Sequence, residues 1–409
     1  MRQRKAVDTN RQFTGSAGYF GVVEPGATTL RFLVIEVAEG KATVFGWSEA
    51  PGWASEKMDS ESLVTVCEKA LAEAEGMAQA SDGRWVLPDQ ILVGLPASRL
   101  RGRAWSIEQR RSRPERPVDE EELTALLART LRLATNRLRD ESPDDAGWLL
   151  VDAVAVALTV DGHGVTDPVG FRGQDIGATV FAALAPAEVV ETWGVVAREL
   201  EFSALTLTAS PVALAAGLSA PQAILIDVGG TTTDLIWCRA GRPVVLDSLS
   251  IGGAELTRSL AHKWRLLPDR AERLKQAYSS GGLSAEARAQ VQEVLWPGLQ
   301  AWFEQMEAAM ARLNRDEPLP QHLLLLGGGS ALPEMAEAVC SLAWSQRLHF
   351  TRYPQVRRLR PTDVPGVVNR TSRGQQMGDV SALALAAWAA QQQRLPERPA
   401  RILNELCQA

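Results

Sequence analysis

Long apolar runs are missing from this chain. No stretch of its 409 residues approaches the ~20 apolar residues that cross a bilayer, so nothing in it predicts a membrane-spanning helix. Cysteine is scarce: Cys67, Cys238, Cys340 and Cys407 lie far apart and form no CxxC pair, which indicates neither a disulfide framework nor a zinc site and fits a reducing cytoplasm. A strong charge of one sign is also lacking. The net charge of −6 argues against nucleic acid as the main partner, although it leaves room for a local basic patch. Residues 1–16 are basic and polar without the apolar core of a secretory signal, and residues 1–18 are expected to be a loose tail.

What is present describes a globular chain: 45% hydrophobic and 22% charged residues, enough to bury a core. At 409 residues, two lobes are more natural than one. The most informative stretch is 223–237 (AILIDVGGTTTDLIW): an apolar run ends in Asp227, turns on Gly229 and Gly230, passes three threonines and leaves through Asp234 into a second apolar run. This predicts a β-hairpin with a polar tip. Glycines let backbone N–H groups approach an anion, small hydroxyls add short donors, and Asp227 could hold Mg²⁺ through water. Alone, the same residues also describe an ordinary Gly-Gly turn. Residues 19–37 (YFGVVEPGATTLRFLVIEV) repeat the design with Glu24, Gly26, Thr28 and Thr29, which suggests two related lobes facing one ligand.

Other segments follow from their periodicity. Strands are expected at 41–47, 90–96, 148–160, 177–184 and 204–208, and helices at 59–79, 186–200, 210–217, 285–313 and 379–390. Asp119 and Glu122 predict a capping box opening another helix. The basic stretch 99–116 reads as a solvated strand pair or as a contact with an acidic partner or anionic lipid, His163 as a surface turn residue, and the Arg- and Pro-rich residues 357–376 as a loop. Gly252-Gly253 opens a helix whose N-terminus offers free N–H groups to anions. Glu272 and Lys275 share one helical face and point either into a cleft or into solvent as a surface ion pair. Leu323 to Leu326 form a buried strand that enters the turn Gly327-Gly328-Gly329-Ser330.

Taken in order, these motifs resemble the ATPase superfamily of actin, heat-shock chaperones and sugar kinases, and within it the FtsA family of bacterial cell division. Residues 160–173 (VDGHGVTDPVGFRG) are similar to part of the subdomain that FtsA inserts where actin has another. The resemblance implies an α/β, two-lobed actin-like (ribonuclease-H-like) fold, with a first lobe at 19–94 and 184–220, an inserted subdomain at 95–183, a second lobe at 221–390 and a C-terminal tail at 391–409. It implies ATP and Mg²⁺ as ligands. Nucleotide contacts would fall on Gly26, Ala27, Thr28, Thr29 and Arg31; on Gly229, Gly230, Thr231 and Thr232; on Gly252, Gly253, Glu272 and Lys275; and on Gly327, Gly328, Gly329 and Ser330. Glu24 and Asp227 would face the metal and are the candidates for catalysis.

Two departures bear on chemistry. Glu24 followed by Pro25 stands where relatives commonly carry Asp, and Ser210 stands before Pro211 where many carry a Glu that orients the attacking water. Phosphoryl transfer depends on positioning, so ATP binding with slow hydrolysis or none is expected. The function implied is a cell-division scaffold that polymerises and links FtsZ, through its C-terminal peptide, to the cytoplasmic membrane. The tail at 400–407 is short and weakly basic, which leaves only a weak membrane contact. A scaffold of the PilM type in pilus assembly and an ATP-dependent enzyme resembling hydantoinases or small-molecule kinases are the alternatives.

Overall fold

The structure is a computed structural model that describes residues 18–53, 59–79, 83–141, 147–219, 222–314, 317–339, 347–393 and 396–408; residues 1–17 of the expected N-terminal tail and Cys340 lie outside them, and Gly18, the last residue expected in that tail, instead opens the first strand. The chain opens with β1 (Gly18–Pro25), β2 (Thr29–Ala38), β3 (Lys41–Pro51), α1 (Ser60–Glu75) and β4 (Gln90–Leu95). Next come β5 (Arg101–Arg110), α2 (Glu120–Asp140), β6 (Trp148–Val160), β7 (His163–Val165) and β8 (Asp175–Pro186). Then follow α3 (Ala187–Glu199), β9 (Ala204–Ala209), α4 (Ser210–Gly217), β10 (Gln222–Val228), β11 (Thr233–Arg239) and β12 (Arg242–Leu249). Helices α5 (Gly253–Trp264), α6 (Pro268–Ser279) and α7 (Ala285–Leu313) precede β13 (His322–Leu326), α8 (Pro333–Val339), β14 (Gln355–Arg358) and β15 (Val367–Asn369). Helices α9 (Val380–Gln391) and α10 (Arg398–Gln408) close the chain.

Two sheets carry the molecule. The first has strand order β15-β3-β2-β1-β4-β9, and the second runs β14-β13-β10-β11-β12-β5-β8-β6-β7. In each, an antiparallel hairpin lies beside a parallel strand: β1 pairs with β2 and β4, and β10 pairs with β11 and β13. Such largely apolar central strands demand cover on both faces. Helices α4 and α9 lie between the sheets and share one core with Phe20, Leu33, Leu225 and Ile236. They approach closely because a Cβ at Gly217 would overlap the Ala384 carbonyl. The outer faces are covered by α1 and α3 on the first sheet and by α5 to α8 on the second.

Four expectations need correction. The 99–116 stretch is not a solvated strand pair: one strand ends at Arg110, and Arg111 is buried, its guanidinium paired bidentately with Glu122 at 2.8 Å. The capping box is therefore half made. Asp119 Oδ1 accepts from the Glu122 N–H at 2.8 Å, but the Glu122 carboxylate serves Arg111 instead of reaching back. Residues 357–376 are not all loop, since β14 and β15 extend the two sheets at their edges. The C-terminal tail is a docked helix. Ile402 and Leu403 of α10 are buried among residues of α2, β6 and β8, and Arg398 holds Asp167 at 2.6 Å while Arg401 holds Glu120 at 2.8 Å.

Candidate functional site

The glycine turns that lie far apart in sequence meet in one cleft between the sheets. The β1–β2 turn carries Gly26, Ala27, Thr28 and Thr29, and the β10–β11 turn carries Gly229 to Thr232. They touch: a Cβ at Gly230 would sit inside the Thr28 side chain. Gly252 and Gly253, at the start of α5, press on the same turn, with the Gly253 N–H donating to Gly229 O at 2.9 Å and the Ala254 N–H to Gly230 O at 2.7 Å. The β13 turn closes the ring. Gly327, at φ +83°, packs against Asp227 and Val228 where any side chain would collide, and Gly329 Cα lies 3.6 Å from where a Gly253 Cβ would be. Ser330 Oγ turns inward to donate to Gly327 O at 2.7 Å.

Acidic groups line the floor. Glu24, Asp227 and Asp234, with Ser210 and Ser381, surround a cavity of about 20 Å³, room for about one water or one small ion. Burial raises the Asp227 carboxyl to about 6, with Asp234 adding to the rise and Ser381 and Arg31 opposing it. Burial likewise lifts Asp234 to about 6 against hydrogen bonds from Ser248, Ser98 and Ala97. Glu24 is raised by burial and by Asp227, while Arg31 pulls it down. Burial holds all three of these carboxyls above their ordinary range, but among the described residues no three acidic, histidine or cysteine side chains are grouped so as to ligate a metal ion directly.

Two cations flank this floor. Arg31 Nη1 meets Glu24 Oε2 at 2.9 Å and its Nε meets Asp379 Oδ1 at 2.8 Å. On the other side, α6 presents Lys275, which is buried, so the surface-pair reading of Glu272 and Lys275 does not hold. Lys275 Nζ spends its three donors on Gly253 O at 2.9 Å, Thr257 Oγ1 at 2.8 Å and Glu272 Oε2 at 2.8 Å. Burial alone would raise the Glu272 carboxyl, but Lys275 and hydrogen bonds from Thr257 and Gln276 bring it below its usual range.

All the residues expected to contact a ligand lie on these turns and their flanks. Sequence reasoning missed Asp379 and Ser381, seen only as the start of an alanine-rich helix; Ser381 Oγ donates to Asp227 Oδ2 at 3.0 Å. Asp234 carried a signal, since it faces Asp227 across the hairpin register. Asp379 carried none that spacing reveals, because it lies 348 residues from Arg31.

Comparisons with known proteins agree with this geometry. Residues 224–380 match the family model of the cell division protein FtsA. No curated protein matches the chain in sequence. The PilM–PilN type IV pilus biogenesis complex is similar at a TM-score of 0.61 and 16% identity, over 93% of this chain and 99% of that one. The ethanolamine utilization protein EutJ from Carboxydothermus hydrogenoformans is similar at a TM-score of 0.50 and 14% identity, over 91% of each chain. The expected fold is borne out: a mixed α/β chain with two sheets, similar in fold to actin-like ATPases, with the FtsA match covering residues 224–380.

Proposed function

We propose that this chain, actin-like in fold and matched to FtsA across residues 224–380, is a nucleotide-binding scaffold that works by docking and self-association. One observation carries the reading: four glycine turns far apart in sequence come into contact beside three acidic side chains that line one small cavity. ATP is the proposed ligand. Backbone N–H groups of the turns at Gly26 and Gly229 would receive phosphates, Lys275 and Glu272 the ribose, and Gly328 to Ser330 the base. Magnesium is proposed to enter with the nucleotide, its waters turned toward Asp227 and Glu24, and would neutralise phosphate charge.

Hydrolysis is expected to be slow or absent. Ser210 lines the floor beside Glu24 and Asp227, and a neutral hydroxyl there takes a proton from water far less readily than a carboxylate. Steady-state turnover measured with Mg·ATP should fall below about 1 per second, and faster turnover rejects the scaffold reading in favour of an enzyme.

The finer proposal is a division scaffold that binds the FtsZ C-terminal peptide and forms filaments at the membrane. One observation favours the pilus-type alternative: the apolar side of α10 is packed against α2 and β6, so this helix offers little to lipid while docked. Membrane association would then run through a protein partner. Co-sedimentation with lipid vesicles, with and without the FtsZ tail peptide, separates the two: dependence on the peptide and ATP supports division, and pelleting with neither removes it.

A further inference from the structure

The segment Gln376 to Ser381 touches both halves of the cleft at once. On the side of the first sheet, Asp379 Oδ1 accepts from Arg31 Nε at 2.8 Å. On the side of the second, Ser381 Oγ donates to Asp227 Oδ2 at 3.0 Å, and Gly378 lies against Gly328, where an added Cβ would be 3.4 Å from its Cα. The same Cβ would be 2.9 Å from Arg31 Nη2, so the arginine and the β13 turn close on one glycine. Asp379 Oδ2 caps its own turn by accepting from the Gln376 N–H at 2.8 Å. This turn leads directly into α9, one of the two helices packed between the sheets.

Arg31 is a contested residue. It sits on the central strand of β1-β2-β3 with Glu24 opposite on one neighbour and Glu49 opposite on the other, at 2.9 Å and 3.9 Å, and Asp379 arrives from outside the sheet. A single guanidinium among three carboxylates has five donors in a fixed fork, and that fork fits a phosphate as well as it fits a carboxylate. The phosphate turns are in contact through Thr28 and Gly230, so a triphosphate entering between them has to part them. Arg31 is three residues along the chain from Thr28.

We propose that Arg31 and Asp379 form an exchange switch: an incoming terminal phosphate takes Arg31 from Asp379, and the released turn frees the start of α9 from the first sheet. The inference rests on the nucleotide reading above and adds how occupancy is passed between the lobes. Two ligands, phosphate and Asp379, compete for one cation, so weakening Asp379 strengthens the phosphate and leaves a ligand that lacks it unaffected.

The test compares ATP and ADP affinities, with Mg²⁺, of the full chain, Asp379→Asn and Arg31→Gln by titration calorimetry. Asparagine still accepts from the Gln376 N–H but no longer holds a cation. Asp379→Asn is expected to tighten ATP by about tenfold with ADP unchanged, and Arg31→Gln to abolish the preference for ATP over ADP. Thermal melts identify an unfolded variant, in which case Asp379→Ser and Arg31→Met replace the pair with the same expected directions. Equal shifts for both nucleotides, or no shift in a chain that binds both, overturn the switch and leave the nucleotide reading standing. A wild-type chain that binds neither nucleotide overturns both.

Discussion

Asp152 shows most clearly what a single partly desolvated carboxyl does here. Its Oδ2 accepts from Ala209 N at 2.6 Å and from Thr208 Oγ1 at 2.8 Å, tying β6 to the end of β9. Burial lifts its carboxyl from the ordinary 3.8 to about 6, and those two hydrogen bonds only partly oppose the rise. The folded chain therefore binds this proton more tightly than the unfolded chain. The stability it contributes is complete below about pH 4 and is lost as the pH rises through about 6, beyond which it stays flat. Asp152→Asn keeps an acceptor for both donors and removes the charge. The expected outcome is a gain of about 1–2 kcal/mol at pH 7.5 and a shallower decline between about pH 4 and 6, read by calorimetric melts. An unchanged pH profile would refute the assignment.

At the scale of elements, α10 is the one whose role the packing redefines. Its charged side pairs with Asp167 and Glu120, and its apolar side completes the helical layer over β5, β8 and β6 that α2 begins. Leu403 is fully buried there. Leu403→Ala is expected to lower stability by about 2–4 kcal/mol in urea melts, and removal of residues 398–409 by more. A helix held free for lipid would give no change in either. Helices α4 and α9 make the complementary case, because small residues such as Gly217 and Ala384 let them cross between the sheets in direct backbone contact.

For the whole molecule, the two sheets share the apolar core built around α4 and α9, and at the cleft this is supplemented by polar links: Arg31 to Asp379, Ser381 to Asp227, and the backbone of Ala97 and Ser98 to Asp234. A ligand that bridges the sheets should stabilise the folded chain by about 2.7 kcal/mol at a hundredfold excess over its dissociation constant. Mg·ATP is expected to raise the melting temperature accordingly. Chelating the metal with EDTA should reduce that shift, because Glu24, Asp227 and Asp234 then face the triphosphate without a neutralising charge. An ATP shift that is insensitive to EDTA would place the phosphates away from this acidic floor.

The sequence by itself determined the local elements and the order of the turns. Apolar runs of period two, interrupted by Glu24-Pro25-Gly26 and Asp227 to Gly230, are legible because strand pairing and tight turns depend on near neighbours. The FtsA likeness was legible for the same reason, since it resides in motif order. Only the tertiary structure decided which residues share a site. Asp379 meets Arg31 across 348 positions, Lys275 is buried against Gly253 and Thr257, and a tail that reads as short and weakly basic becomes a packed helix. These pairings depend on how two sheets and the helices between them close on one another, and residue spacing along the chain carries no record of that closure.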